Sequence, residues 1–168
     1  MVRKTALLLS LIVAACTAHA TPTFVGSFGG SDYYRTNTAM NFLDSQTVAE
    51  SIGGNLATVN DAAENAYLAG AFSGALYWIG LNDIVTEGVY EWVSGEAVTY
   101  TNWGSGEPND LNNEDGVHFN FGGAGVWNDI PISFNYLAII EVTQNVPAPA
   151  SGALLLLAAL CLRRRKLG

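Results

Sequence analysis

All fifteen acidic residues of this 168-residue chain fall between Asp32 and Glu141, and only one base, Arg35, falls among them. The other six bases sit at the two ends: Arg3 and Lys4, then Arg163, Arg164, Arg165 and Lys166. Fifteen acids against one base leave residues 21–145 at −14 with His neutral. A segment charged this way either stays disordered or holds its carboxylates by some means other than ion pairing. It is rich in Trp, Tyr, Phe, Leu and Ile, which argues for a packed core. Such a surface repels nucleic acid and anionic membranes and attracts cations. The charge peaks in "GEPNDLNNEDGVHF", Gly106 to Phe119, with four acids, three asparagines and no Lys or Arg.

The two ends read differently from the middle. Residues 1–20 combine Arg3 and Lys4, an apolar run from Ala6 to Ala15, and Ala18-His19-Ala20, which suits cleavage. This is the pattern of a secretory signal peptide. Val13-Ala14-Ala15-Cys16 also fits a lipoprotein box, with Cys16 as the lipidated residue. Residues 146–168 place Val146-Pro147-Ala148-Pro149 before about a dozen apolar residues and then the Arg163–Lys166 cluster. The basic end favours the cytoplasmic side, and the run falls short of the ~20 residues of a stable span. The tail resembles the PEP-CTERM sorting signals of Gram-negative bacteria, with Ala148 where that family name has Glu. The resemblance implies transient association with the inner membrane and processing by a sorting protease. The domain would then be exported to the cell surface or extracellular matrix, or stay membrane-anchored if the tail is retained. Cys16 and Cys161 both lie in the end segments, so no disulfide can staple residues 21–145.

Within the middle segment, Asn41 with Asp44 three residues on predicts a helix start, and Gly53-Gly54 its end. Asp61-Ala62-Ala63-Glu64 repeats the signal ahead of "NAYLAGAF". "LYWIGLN", "VYEWV", "GVHFNF", "GVWND" and "YLAIIEV" then read as short strands. Two helices followed by antiparallel strands predict an α+β domain. Val93 to Gly116 shows little periodicity, and an irregular stretch of that length is usually functional.

Oxygen-bearing side chains crowd that stretch and its neighbours: Asp83, Glu87, Glu107, Asn109, Asp110, Glu114, Asp115, Asn128 and Asp129. With no Cys and one His in the segment, this donor set suits Ca²⁺, which takes six to eight oxygens, rather than zinc or copper. Asp and Asn are also common in loops simply because they make good turns. Without a metal, carboxylates this close repel one another or take up protons.

In order along the chain stand "GGNLATVNDAAENAYL", "YWIGLND", "YEWVSGEAVTYTNWGSGEPND", "NEDGVHF", "VWNDIP" and "YLAIIE". Together they resemble the C-type lectin domain over nearly the whole of residues 31–142. The resemblance implies two helices flanking small antiparallel sheets, with a long calcium-binding loop. It places a sugar-binding calcium on Glu107, Asn109, Glu114, Asn128 and Asp129. A second calcium would use Asp83, Glu87, Asp110 and Asp115, with Glu114 shared, and Pro108 would be cis so that Glu107 and Asn109 point to the same sugar-side ion. Trp78, Ile79, Gly80 and Leu81 would be core, Trp92, Tyr100 and Trp103 would pack beneath the loop, and His118 would be structural. A sugar hydroxyl on Ca²⁺ can donate its proton to a carboxylate and accept from an amide. Glu107 and Glu114 supply acceptors, Asn109 and Asn128 donors. In the family the Glu-Pro-Asn order goes with mannose-, glucose- or fucose-type sugars. Affinity for one sugar would be weak, ~mM, and multivalency would raise it.

One departure stands out. The four cysteines usual in the family are replaced by Ala49, Gly116, Ile132 and Ile140. The resemblance implies that Ala49 faces Ile140 and Gly116 faces Ile132. Each missing bridge typically costs ~2–5 kcal/mol, so folding should depend strongly on calcium. Three functions compete: a calcium-dependent carbohydrate-binding module, a protein-binding scaffold whose calcium is only structural, and a glycosidase with paired carboxylates. Calcium would occupy the acids that the third reading needs, so no enzymatic activity is expected.

Overall fold

The computed structural model describes residues 20–144. The expected signal peptide of residues 1–20, except Ala20 itself, and the expected sorting tail of residues 146–168 lie outside the described residues. Among the described residues no helix is long and apolar enough to cross a membrane.

Ten elements are built from local signals that the sequence carries. The β1 strand (Thr23–Phe28) and β2 (Ser31–Arg35) form a hairpin through Gly29-Gly30. Both glycines have positive φ, 61° and 94°, as a two-residue hairpin turn requires. Helix α1 (Phe42–Ser51) starts where Asn41 Oδ1 accepts the Asp44 N–H at 2.8 Å, and the Asn41 amide returns a bond to the Asp44 carboxylate. Its buried residues Phe42, Ser45, Val48 and Ala49 follow helical spacing. After β3 (Asn55–Leu56), helix α2 (Ala62–Ala71) is capped by Asp61, which accepts from the N–H groups of Ala63 and Glu64. The β4 (Tyr77–Asn82), β5 (Glu91–Trp92), β6 (Gly116–Phe119), β7 (Trp127–Ile130) and β8 (Leu137–Thr143) strands complete the chain.

The hairpin places two strands ahead of the helices, where the sequence reading began with helices. The main strand order is β1-β2-β8-β4-β6-β7, with β3 added on β8 and β5 on β4. Every pairing is antiparallel except β4 with β8, so the sheet is mixed. The parallel pair joins segments about sixty residues apart, a non-local contact that no short-range pattern announces.

Every residue of β4 is buried, as a central strand covered on both faces should be. Tyr77, Ile79 and Leu81 pack into one core with Phe72, Phe119 and Trp127. Trp78, one step out of phase, packs on the other side with Phe42, Leu56 and Ala138. Ala49 packs with Ile140 in a third cluster beside Met40 and Val48. A Cβ on Gly116 would lie 3.0 Å from Ile132 Cγ2. Both cysteine-replacing pairs therefore meet in space, as expected, but through apolar contact.

The candidate carboxylate loop site

Residues 93–115 carry no strand beyond the isolated Trp103–Trp127 bridge. Aromatic packing holds this stretch down. The Trp127 ring is met edge-on by Trp92, Tyr100 and Trp103, with centroids 5.7–5.9 Å away. Its Nε1–H donates to Asn65 Oδ1 on α2 at 2.9 Å, and the Asn65 amide donates to the Gly125 carbonyl. Trp92, Tyr100 and Trp103 thus take the places expected of them, with Trp127 as their common partner. Sequence reading did not give Trp127 that part, although its place in "VWND" was the available signal.

Asp129, two residues on, is fully buried. It accepts the Asn109 N–H at 3.0 Å on Oδ2 and 3.2 Å on Oδ1, and the Asp110 N–H on Oδ2 at 2.8 Å. The Tyr90 hydroxyl adds a longer contact to Oδ2 at 3.3 Å. So one buried carboxylate ties the Glu-Pro-Asn turn to β7. The Glu107–Pro108 bond is cis. The Asn109 amide donates to the Glu107 carboxylate, which lies near that of Asp129 and is disfavoured by its charge. Leu111 N–H bridges Asn109 Oδ1 (2.9 Å) and Glu114 Oε2 (3.0 Å), and Glu114 N–H donates to Asp110 Oδ1 at 2.8 Å. Asp110, Asn112 and Asn113 all have positive φ, which Asp and Asn tolerate better than other side chains.

The second group lies alongside. Asp83, at the end of β4, is buried; Oδ2 accepts the Gly88 N–H at 2.9 Å, while Oδ1 has no partner. Its own N–H donates to the Asp115 carbonyl, and its charge acts on the nearby Glu87. Asp115 accepts from the Asn113 amide at 2.7 Å. The structure therefore gathers Glu107, Asn109, Asp110, Glu114 and Asp129 around one turn, with Asp83, Glu87 and Asp115 beside it. Asn128 is buried next to Asp129, but its amide turns to the Asp129 carbonyl rather than to the loop.

Burial first, and neighbouring charges second, account for the shifted groups. Glu114 is pushed above the usual carboxylate range by burial, then by Asp129, Glu107 and Asp110, against the Leu111 N–H, which lowers it. Glu107 is raised by desolvation and by Asp129. Glu87 is raised by partial desolvation and by Asp83, Asp110 and Asp115. Tyr90 is raised by burial and by Asp129 and Asp83. His118 is buried with neither ring nitrogen paired, lies between the rings of Phe121 and Tyr136, and is lowered to about 4 by burial. That packing fits its expected structural role.

These residues fit a hard divalent cation. The donors are carboxylate and amide oxygens, Asp83 Oδ1 is buried without a partner, and the described residues hold no lysine and a single arginine. Among the described residues no three acidic, His or Cys side chains are grouped so as to hold a metal ion by themselves. The donor set is mixed, and amide oxygens are part of it.

Residues 38–139 match the profile of the Lectin C-type domain. The perlucin-like protein of Mytilus galloprovincialis is 31% identical over 144 residues, covering 80% of this chain and 92% of that protein. The lectin BRA-3 of Megabalanus rosa is 35% identical over 105 residues, covering 61% of this chain and 65% of that protein. Among solved structures, the C-type carbohydrate-recognition domain of cow CD23, crystallised in the presence of a GlcNAc2Man3 oligosaccharide, superposes with a TM-score of 0.68 at 25% identity. That match covers 76% of this chain and 99% of the CD23 domain. The carbohydrate-recognition domain of the mouse scavenger receptor C-type lectin gives 0.67 at 25% identity, over 79% and 100%. On the profile match over residues 38–139 and the 31% identity to the perlucin-like protein, the chain belongs to the C-type lectin domain family.

Proposed function

We propose that residues 21–145 form an exported, calcium-dependent carbohydrate-binding domain, selective for mannose-, glucose- or fucose-type sugars and without enzymatic activity. The observation that carries this reading is the turn that gathers Glu107, Asn109, Asp110 and Glu114, held to the buried Asp129 through the Asn109 and Asp110 N–H groups, with no lysine among the described residues to balance the acids. Glu107, Asn109, Glu114, Asn128 and Asp129 would hold the sugar-side ion. Asp83, Glu87, Asp110 and Asp115 would hold a second. When bound, calcium supplies a Lewis-acid contact for neighbouring sugar hydroxyls and cancels the repulsion among the carboxylates. The side chains do the rest. Glu107 and Glu114 accept hydroxyl protons, Asn109 and Asn128 donate amide hydrogens, and the Trp127 cluster keeps the loop fixed on the sheet. The names of the relatives support sugar binding: a lectin, and a carbohydrate-recognition domain crystallised with an oligosaccharide.

The working site would be the cell surface or extracellular polysaccharide, reached through a signal at residues 1–20 and a sorting tail at residues 146–168. The test is a glycan array probed with residues 21–145 on a multimerising tag, in millimolar calcium and in chelator. Chelator-sensitive binding to mannose-type or fucose-type glycans is expected. A folded domain that ignores every glycan in calcium would favour the alternative, a calcium-stabilised protein-binding scaffold.

A further inference from the structure

Asp129 uses its two oxygens unequally. Oδ2 receives the Asp110 N–H at 2.8 Å, the Asn109 N–H at 3.0 Å and the Tyr90 hydroxyl at 3.3 Å, whereas Oδ1 shares only the Asn109 N–H, at 3.2 Å. A carboxylate accepts at about four lone-pair positions, two on each oxygen. With Oδ2 crowded, the spare capacity of this buried group lies on Oδ1.

Two of the three donors on Oδ2 belong to the Glu-Pro-Asn turn itself. The third comes from elsewhere. Tyr90 follows the Asp83–Gly88 loop, whose Gly88 N–H donates to Asp83 Oδ2 at 2.9 Å. Its ring is fixed by an edge contact with Trp103, centroids 5.0 Å apart at 64°, and Trp103 in turn packs on Trp127. The ring is thus held independently of its hydroxyl, and the hydroxyl has Asp129 as its partner. That arrangement spans the two groups of acids: the loop tied to Asp83 at one end reaches Asp129 at the other.

We propose that Tyr90 is a positioning residue for the ion site: its hydroxyl occupies Asp129 Oδ2, sets the rotation of the carboxylate, and leaves Oδ1 to face the cation and sugar. This rests on the calcium-and-sugar reading above. Partners that orient a metal ligand commonly change affinity by 10–100-fold when removed. The contact here is long for an O–H···O bond, so the lower end of that range is expected.

The test compares the full chain with its Tyr90→Phe variant, which keeps the ring and removes only the hydroxyl. Calcium affinity is read by calorimetric titration, and melting temperature is read in calcium and in chelator. About tenfold weaker calcium binding is expected, with a narrower gap between the calcium and chelator melting temperatures and little change in chelator alone. A merely structural hydroxyl would lower both melting temperatures together and leave the gap intact, which would overturn the proposal. Equal calcium affinity in the two proteins would also overturn it, while leaving the calcium reading standing. If the unaltered protein binds no calcium, that reading fails and takes this one with it. A variant that does not fold even in saturating calcium likewise overturns it, since a hydroxyl acting only through Asp129 is not needed by the core.

Discussion

A fully buried carboxylate without a cationic partner is costly unless hydrogen bonds and a cation satisfy it, and Asp129 shows how this chain meets part of that need with backbone N–H groups. Asp129→Asn keeps the shape and removes the charge. It is expected to weaken calcium binding at least tenfold and to abolish chelator-sensitive sugar binding while the metal-free protein still folds, which calorimetry and circular dichroism would check. His118 makes an opposite demand. Its pKa falls from about 6.5 in the unfolded chain to about 4 in the fold, so the unfolded state takes up its proton first. Stability from the neutral ring is therefore complete above pH 6.5 and is lost as pH falls towards 4. Chemical denaturation of His118→Phe against the unaltered protein should show a difference in the variant's favour that grows by roughly 1–2 kcal/mol between pH 7.5 and pH 5. Glu114, Glu107 and Glu87 work the other way in the metal-free protein, because raised carboxyl pKa values favour the fold as pH drops through them. Comparing the two proteins at each pH cancels that contribution. The acidic and amide residues that the fold gathers at the loop were legible because residue type and order carry them. Tyr90 was not, because a lone tyrosine beside a strand reads as core until its hydroxyl is seen on Asp129.

At the scale of elements, helix α2 anchors β7 through the Asn65–Trp127 bond, and the same asparagine holds the Gly125 carbonyl. Gly125 has φ of 74°, and a Cβ there would sit 2.6 Å from Asn65 Nδ2. Asn65→Leu leaves the Trp127 N–H and the Gly125 carbonyl without this partner, so a loss of roughly 2–3 kcal/mol is expected on urea denaturation. The pair that stands where the family has a bridge is tight: a Cβ at Gly116 meets Ile132 at 3.0 Å, Trp78 at 3.1 Å and Phe42 at 3.2 Å. Gly116→Ala should accordingly destabilise by about 1–3 kcal/mol through overpacking, measured in the same way. Helix starts at Asn41 and Asp61 were readable because capping is local chemistry. The β1–β2 hairpin was missed although Gly29-Gly30 is a turn signal, since the flanking runs are short and β1 carries a register shift between Phe24 and Gly26. The parallel β4–β8 pair has no sequence signature, because it depends on how distant segments pack.

For the whole molecule, two facts combine. The domain lacks the family's bridges, and its acids outnumber its bases by fourteen. Both weaken the metal-free fold, the first through chain entropy and the second through self-repulsion. Salt should therefore raise the melting temperature of the metal-free protein by screening, and much less so in calcium. The family and the position of the site could be read from the ordered motifs, which span most of residues 31–142. The end segments were read from the order of their basic, apolar and Pro residues and, for the tail, from a resemblance; apart from Ala20 they lie outside the described residues.

The most direct test of the central claim is a thermal melt of the metal-stripped protein in chelator and again in millimolar calcium. On the proposed reading calcium binds the native state and not the unfolded one, so it should raise the melting temperature by many degrees, and magnesium at the same concentration should do so far less. Superimposable melts with and without calcium would contradict the account, leaving the carboxylate loop as a self-satisfied turn.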